Sequence, residues 1–263
     1  MPTLDVLGHP TWYTVQGAGH DTVLLLHGGL SNSDALLDSI GGLLGEHRRV
    51  AAFDRRGHGR TADTPEAFHY ESMVDETIAV IEHIGGPVHI VGWSDGGIIG
   101  LLLALRRPEL VGRLVAIGAN YHWDVVPDLT NATASDDGTE AASGDPSVAM
   151  MAAEYAERSP DGPEHFAVVA AKGFHLFGIE PELTVDDLAR VSVPVLVMAG
   201  DDDLIPLSHT AAFFAGLPEA QLAIVPGASH AVPMEHPQEV VGLIERFLES
   251  AVPPATMMPN QRR

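Results

Sequence analysis

Short runs of apolar residues alternate with longer amphipathic stretches along most of the chain. Eight runs predict strands, at 4–9, 11–16, 22–26, 50–53, 88–91, 114–117, 195–198 and 222–225. Apolar residues at helical spacing predict helices over 33–46, 70–84, 98–107, 208–216 and 237–250. Because several strands are apolar at every position, the pattern predicts an α/β fold whose mostly parallel, eight-stranded sheet is covered by helices on both faces.

The alternation stops between residues 119 and 193, where no strand is predicted. Helical patterns occupy about 147–158 and 163–176, whereas residues 131–145 are small and polar, a composition typical of loops. A helical insertion between two strands of a parallel sheet predicts a lid, and the alternative is a peripheral decoration with no gating role. The predicted units are a core of residues 1–118 and 194–251, a lid of residues 119–193 and a flexible tail of residues 252–263.

Composition limits the possible partners. The chain has 263 residues, 45% of them hydrophobic, which suffices for one α/β domain with a buried core. Its net charge of −22 is expected to repel nucleic acids and anionic membranes. Such a charge is explained by a preference for cationic or neutral substrates, by adaptation to salt, or simply by solubility. The absence of cysteine excludes disulfides and thiolate chemistry. With no secretory signal peptide or membrane-spanning run recognised, we expect a cytoplasmic location, and the oligomeric state is left open.

One turn carries the strongest indication of chemistry. Residues 92–96 read Gly-Trp-Ser-Asp-Gly and lie between the predicted strand 88–91 and the predicted helix 98–107. In this context a sharp turn holds the serine hydroxyl exposed at the end of the sheet. Small residues are needed on both sides because the backbone is strained and the helix packs close to the strand. The alternative is an ordinary turn with a capping serine.

A serine hydroxyl is a poor nucleophile until a base removes its proton. Among 14 histidines, His230 directly follows the last predicted strand, where the carboxyl ends of parallel strands gather active groups. The acid that orients such a base is expected after the preceding strand, where Asp201, Asp202 and Asp203 stand. The residues therefore predict Ser94 as nucleophile, His230 as base and one of the three aspartates as the acid, in the order Ser, Asp, His.

These motifs resemble those of the α/β-hydrolase superfamily of serine hydrolases, over nearly the whole chain. The matching segments are the oxyanion loop at 27–29, the loop after the fourth strand at 54–59, the nucleophile turn at 92–96, the acid segment at 200–203 and the base segment at 227–230. The resemblance implies an α/β-hydrolase fold with a helical lid. It also points to Asp203 as the acid. The family commonly has a proline four residues after that acid, whereas Pro206 follows Asp203 by three, so Asp201 and Asp202 stay minor alternatives.

The resemblance also implies where the substrate binds. The oxyanion hole is expected from the backbone N–H groups of Gly29 and Asp95, with Leu30 as the fallback for Gly29. His27 and His58 are interpreted as histidines that brace their loops. Aromatic and leucine residues at 174–177 are expected either in an apolar wall of the pocket or in the core. The residues predicted to line the substrate pocket are Leu30, Trp93, Asp95, Asn120, Tyr121 and His122.

Asp95 has two interpretations. An acidic residue in the first turn of a helix is favoured by the helix dipole, which needs no further role. Alternatively, the turn around Ser94 resembles that of valacyclovirase-type amino-acid ester hydrolases, in which the acid after the nucleophile binds the substrate ammonium group. The sequence leaves both interpretations open.

The resulting hypothesis is a cofactor-free serine hydrolase that cleaves small carboxylic esters or lactones through an acyl-enzyme intermediate. Perhydrolase or haloperoxidase-like activity and carbon–carbon bond hydrolysis use the same triad and are alternatives. A ligand receptor that keeps the hydrolase fold is the non-enzymatic alternative. Enzymes that need a carboxylate nucleophile are disfavoured because Ser94 occupies that position. We expect a small-molecule substrate as the partner, and neither a metal nor a cofactor.

Overall fold

Eight strands form one sheet in the computed structural model, which describes residues 3–126, 146–251 and 257. They are β1 (Thr3–Val6), β2 (His9–Gln16), β3 (Thr22–Leu26), β4 (Arg49–Phe53), β5 (Val88–Trp93), β6 (Val111–Ile117), β7 (Val195–Asp202) and β8 (Ala220–Ser229). Their order across the sheet is β1-β2-β4-β3-β5-β6-β7-β8, and β2 runs antiparallel to both of its neighbours. All eight predicted strands are present, and the predicted α/β-hydrolase fold is confirmed.

Ten α-helical segments connect and cover the strands in the described part of the chain. They are α1 (Asp34–Leu36), α2 (Gly42–Gly45), α3 (Tyr70–Ile84), α4 (Asp95–Arg106), α5 (Pro146–Arg158), α6 (Phe166–Phe177), α7 (Val185–Leu188), α8 (Leu207–Gly216), α9 (Val232–Glu235) and α10 (Pro237–Glu249). The single helix predicted over 33–46 is interrupted by a π-helical turn at Leu37–Gly41. There the Ser39 hydroxyl donates to the carbonyl of Ala35, a bond that competes with the regular helical pattern.

Side chains alternate between the two faces of the sheet, as strand geometry requires. On β3, Val23 and Leu25 face the layer formed by α1, α2, α9 and α10. Leu24 and Leu26 face the opposite layer, which contains α3, α4 and α8. All residues of β3 are buried, as expected for a strand covered on both faces. The core therefore lies in two layers, and the loops at the carboxyl ends of the strands are free to form a site.

Helix α4 begins so close to the sheet that side chains are excluded at two positions. A Cβ atom on Gly96 would lie 2.0 Å from the carbonyl oxygen of Leu26, and one on Gly92 would lie 2.2 Å from the carbonyl oxygen of Gly96. Ser94, between these glycines, has a φ of 53°, in the left-handed region that L-residues rarely adopt. Its N–H donates to the carbonyl of Ile117 on β6 at 2.8 Å. The turn thus fixes Ser94 at the carboxyl edge of the sheet.

Ion pairs connect the segment between β6 and β7 to the core. Arg158 Nε of α5 lies 2.8 Å from Asp34 Oδ2, and Lys172 Nζ of α6 lies 2.7 Å from Asp63 Oδ2. The described part of this segment contains no strand, only an isolated bridge between His122 and Glu182. The loop predicted at 131–145 lies outside the described residues, as does nearly all of the tail predicted at 252–263. The lid role of the segment stays a prediction.

We expect Gly96→Ala to destabilise the protein and Gly242→Ala to be tolerated. The added methyl group at residue 96 would overlap the carbonyl of Leu26, and overpacking of this kind costs about 1–3 kcal/mol or more. Gly242 lies on the exposed face of α10 with nothing within 4 Å of an added Cβ, so alanine there is expected to stabilise by up to about 1 kcal/mol. Urea denaturation measures both effects, and equal stability of the two variants would contradict the packing described for α4.

Candidate active site

Three loops at the carboxyl edge of the sheet bring Ser94, Asp203 and His230 together. Ser94 follows β5, Asp203 follows β7 and His230 follows β8. His230 Nε2 lies 3.1 Å from Ser94 Oγ, and His230 Nδ1 lies 2.7 Å from Asp203 Oδ1. Because the carboxylate can only accept, it favours the tautomer with the proton on Nδ1, which leaves Nε2 free to accept the serine proton. The arrangement can therefore transfer a proton from Ser94 to His230.

The surroundings of His230 and Asp203 hold this geometry. The Asp203 side chain is fully buried, and its Oδ1 also accepts the N–H of Ile205 at 3.0 Å. The indole N–H of Trp93 donates to the backbone carbonyl of His230 at 2.8 Å, which ties the histidine loop to the serine turn. Fixed partners on both sides limit the orientations of the imidazole ring. This is the arrangement that proton transfer needs.

Asp201 and Asp202 do not reach His230. Strand β7 continues through both residues, beyond the predicted end at 198, and their side chains are exposed. Asp201 Oδ1 instead accepts the N–H of Gly227 at 2.7 Å. Of the three candidate acids, the structure places only Asp203 in contact with the base.

The loop after β3 approaches the Ser94 hydroxyl. Gly29 and Leu30 line the cavity that contains Ser94, and Leu30 has a φ of 54°. Within the described residues, the N–H groups of Gly29, Leu30 and Asp95 donate to no protein acceptor. Free donors beside a nucleophile are suited to a developing oxyanion. Gly29, with Leu30 as its alternative, and Asp95 therefore stay the candidate donors.

Arg55, which the sequence analysis did not single out, binds this loop. Its guanidinium is fully buried and donates from Nη1 to the carbonyl of His27 at 2.7 Å and from Nη2 to that of Gly28 at 3.0 Å. Burial, followed by the charge of Arg55, lowers the pKa of His27 well below its usual value. The neutral imidazole of His27 is therefore part of the structure of this loop. In sequence, Arg55 is an unspecified position of the loop at 54–59, so no motif marked it.

Asp95 is buried beside Ser94, with an exposed fraction of 4%. The Tyr70 hydroxyl of α3 donates to Asp95 Oδ1 at 2.9 Å. Burial raises the pKa of the Asp95 carboxyl, whereas the positive charge of Arg55 and the hydrogen bond from Tyr70 act in the opposite direction. Asp95 Oδ2 lies close to Gly29, since a Cβ atom added to Gly29 would be only 2.6 Å from this oxygen. The carboxylate thus has one oxygen held by the protein and one at the wall of the cavity.

The cavity over Ser94 is small and mostly apolar. Its volume is about 130 Å³, close to the roughly 150 Å³ of a protein cavity that binds benzene. Of the predicted pocket residues, Leu30, Trp93, Asp95 and Asn120 line it. The lining residues that were not predicted from sequence include Tyr70, Val148, Met151, Glu180, Leu204 and Ile205. Phe174 and Phe177 of α6 contribute to the wall, as one of the two interpretations of 174–177 anticipated.

Tyr121 and His122 are not among the described residues that line this cavity, contrary to the prediction. The Tyr121 ring stacks on His209 of α8 with 4.1 Å between the ring centres, so it faces the core. Its N–H donates to His209 Nε2 at 3.2 Å, and burial is the main cause that lowers the pKa of His209 to about 4. The His122 ring is held by Asp124 at 2.8 Å. The contact with His209, 88 residues away in sequence, was not available to sequence reasoning.

The residues described by the structure contain no group of three or more histidine or carboxylate side chains placed to hold a metal ion. No helix among them is long and apolar enough to span a bilayer.

Comparisons with known proteins agree with this fold. A model of the alpha/beta hydrolase family matches residues 23–243. Est816, a solved structure described as an N-acyl homoserine lactone degrading enzyme, superposes with a TM-score of 0.76 at 22% identity, over 94% of this chain and 100% of that one. At this identity the likeness concerns the fold alone.

Two curated relatives align over most of the chain. RutD of Rhizobium rhizogenes, provisionally named a carbamate hydrolase, is 30% identical over 217 residues, which cover 77% of this chain and 83% of that protein. The sn-1-specific diacylglycerol lipase of Mus musculus is 28% identical over 261 residues, covering 86% and 80% respectively. The names of these relatives imply different substrates but the same general type of reaction. The chain belongs to the alpha/beta hydrolase family and is a hydrolase.

Proposed function

We propose that this protein is a serine hydrolase that cleaves small, uncharged carboxylic esters or lactones through an acyl-enzyme intermediate. The observation that carries the proposal is the chain of hydrogen bonds from Ser94 through His230 to Asp203. This chain opens into an apolar cavity, which suits the acyl group of such a substrate.

In the first half of the reaction, Ser94 Oγ attacks the carbonyl carbon while its proton passes to His230 Nε2. Asp203 stabilises the positive imidazolium that forms. The carbonyl oxygen becomes an oxyanion, which accepts hydrogen bonds from the N–H groups of Gly29 and Asp95. As the tetrahedral intermediate collapses, His230 returns the proton to the leaving oxygen, and the alcohol departs from the acyl-enzyme.

In the second half, water replaces the alcohol. His230 removes a proton from the water molecule, and the oxygen attacks the acyl carbon. A second oxyanion forms at the same donors. Its collapse releases the carboxylic acid and restores the proton to Ser94. Every proton taken up by His230, from Ser94 or from water, is thus returned to the leaving alcohol or to Ser94.

The charges around the cavity favour an uncharged acyl group. Asp95 and Glu180 line it, whereas no lysine or arginine is among the described lining residues. Residues 127–145, which the structure does not describe, contain no lysine or arginine either. A substrate carboxylate would therefore find no lysine or arginine to pair with in the cavity wall. It would meet two acidic side chains, of which Asp95 is only partly compensated by the charge of Arg55. In a partly dry site, two like charges about 5 Å apart repel by roughly 3 kcal/mol at an effective dielectric constant of 20.

Amino-acid esters are a second candidate class, because one oxygen of Asp95 is available. Tyr70 occupies Oδ1, whereas Oδ2 accepts no hydrogen bond from the described residues. A substrate ammonium group at Oδ2 would gain a charged acceptor beside the reacting carbonyl. The nearby charge of Arg55 weakens this attraction, which is why neutral substrates are placed first.

The insertion at 119–193 is proposed to act as a lid over this site. Val148 and Met151 of α5 and Phe174 and Phe177 of α6 line the cavity above Ser94. Apolar side chains in these positions would exclude bulk water and would contact the acyl group. Exclusion of water strengthens the electrostatic interactions on which the oxyanion depends.

Replacement of Ser94 or His230 by alanine should reduce hydrolysis of p-nitrophenyl butyrate by at least about a thousandfold, since each variant removes a group that takes part in bond making. Steady-state kinetics give the effect, and thermal unfolding checks that the fold persists. Ser208→Ala and His175→Ala, at exposed positions that do not line the cavity, are matched controls with expected wild-type rates. Retention of more than a tenth of the activity by Ser94→Ala would exclude the assignment.

The substrate class is tested with pairs of methyl esters of equal shape. Monomethyl succinate should be hydrolysed at least about tenfold less efficiently than its uncharged counterpart, methyl 4-methylpentanoate, because of the repulsion estimated above. Asp95→Asn should narrow this difference in kcat/KM. Equal kcat/KM values for the two esters in wild type would contradict the preference for neutral substrates.

For the amino-acid ester candidate, the ratio of kcat/KM for alanine methyl ester to kcat/KM for methyl isobutyrate is compared between wild type and Asp95→Asn. An unchanged ratio eliminates a role of Asp95 in ammonium binding.

A further inference from the structure

We propose that Arg55 is a positioning residue of the oxyanion hole. Its guanidinium fixes the direction of the Gly29 N–H and supplies a positive charge that offsets the Asp95 carboxylate. This inference rests on the proposed function, because it concerns the oxyanion that forms when Ser94 attacks the substrate. It assigns a role to a buried charge that the proton-transfer chain does not use.

The first observation is the set of hydrogen bonds around the Gly28 carbonyl. Arg55 Nη2 donates to this oxygen at 3.0 Å, and His27 Nδ1 donates to it at 2.7 Å. His27 Nε2 in turn accepts the backbone N–H of Arg55 at 3.2 Å, which sets the tautomer with the proton on Nδ1. Arg55 Nη1 holds the neighbouring carbonyl of His27 at 2.7 Å. The Arg55 side chain therefore binds the carbonyl groups of two successive peptide units in the loop after β3.

The second observation is the geometry of a peptide unit. In a trans peptide the C=O and N–H groups point in opposite directions. Since the Gly28 carbonyl points to Arg55 and His27, the Gly29 N–H of the same unit points away from them. That N–H donates to no protein group in the described part of the chain, and Gly29 lines the cavity with Ser94. Two donors on the carbonyl also polarise the unit, which makes the N–H a stronger donor.

The third observation is the distribution of buried charge. Asp95 is expected to donate its N–H to the oxyanion, yet its own carboxylate repels negative charge at that point. Arg55 is fully buried. Among the described residues it makes no direct ion pair with a carboxylate, and its Nε has no hydrogen-bond partner. The carboxylates whose charge acts on it are those of Asp95, Glu76 and Asp54. Burying an arginine is unfavourable without such compensation, so its place beneath the oxyanion loop indicates a use for the charge.

Arg113 provides a matched control elsewhere in the molecule. Its guanidinium also binds two backbone carbonyls, those of Phe247 at 2.6 Å and Ser250 at 2.7 Å. These residues lie at the end of α10, away from the residues that line the cavity. Replacing Arg113 removes the same kind of contact without touching the oxyanion loop. A purely structural role for Arg55 predicts that its replacement, like that of Arg113, lowers the stability of the protein without a specific loss of kcat.

The experiment compares Arg55→Met, Arg55→Lys and Arg113→Met with p-nitrophenyl butyrate as substrate. We expect Arg55→Met to lower kcat by about a hundredfold with a change in KM of less than about threefold, the behaviour of a lost oxyanion donor. Arg55→Lys, which keeps the charge but contacts fewer carbonyls, should lie between this variant and wild type. Arg113→Met should lose stability at most. Addition of Asp95→Asn to Arg55→Met should restore part of kcat, since it removes the uncompensated charge.

A trifluoromethyl ketone separates this role from a structural one. Ser94 adds to its carbonyl carbon and forms a tetrahedral oxyanion, whereas the corresponding methyl ketone binds without forming that adduct. Arg55→Met should weaken binding of the trifluoromethyl ketone by the same factor as kcat/KM and leave the methyl ketone unaffected. Equal weakening of both ketones, or Arg55→Met and Arg55→Lys kinetics indistinguishable from those of Arg113→Met, would overturn the proposal. A wild-type protein that forms no adduct at Ser94 would instead refute the proposed function.

Discussion

The approach of α4 to β3 and β5 is the constraint on which the rest of the site depends. Gly92 and Gly96 allow this approach because neither position has room for a Cβ atom. The resulting turn holds Ser94 at a φ of 53°, and the hydrogen bond to Ile117 fixes it to the neighbouring strand. Backbone strain of this kind persists only where the surrounding structure enforces it. Once the serine is fixed at the carboxyl edge of the sheet, the loops after β3, β7 and β8 can meet it.

The site also contains buried charges of opposite sign, those of Arg55 and Asp95. Asp95 and Tyr70 line the cavity and are hydrogen-bonded to each other, and the charge of the buried Arg55 acts on both. Burial raises the pKa of Asp95, while Arg55 opposes that rise. Electrostatic effects are stronger here than at the surface because little water screens them. The same dryness that favours an oxyanion would penalise an uncompensated substrate carboxylate. Catalysis and the proposed preference for uncharged substrates therefore have a common physical origin.

The sequence predicted the sheet well because every strand carries a local pattern of apolar residues. It also selected Ser94 and His230, since both stand directly after a strand where parallel strands gather functional groups. It could not predict the contacts between distant segments. Arg55 is recognised only through its bonds to the loop after β3, and Tyr121 was misplaced because its partner His209 comes much later in the chain. Such contacts depend on packing in three dimensions, which periodicity does not encode.

Covalent labelling tests most directly whether His230 activates Ser94 as a nucleophile. A fluorophosphonate reagent reacts promptly with an activated serine, and mass spectrometry of the digested protein locates the adduct. We expect a single modification on Ser94 that forms rapidly in wild type and slowly in His230→Ala. A wild-type protein that is not labelled, or an adduct on a different residue, would contradict it.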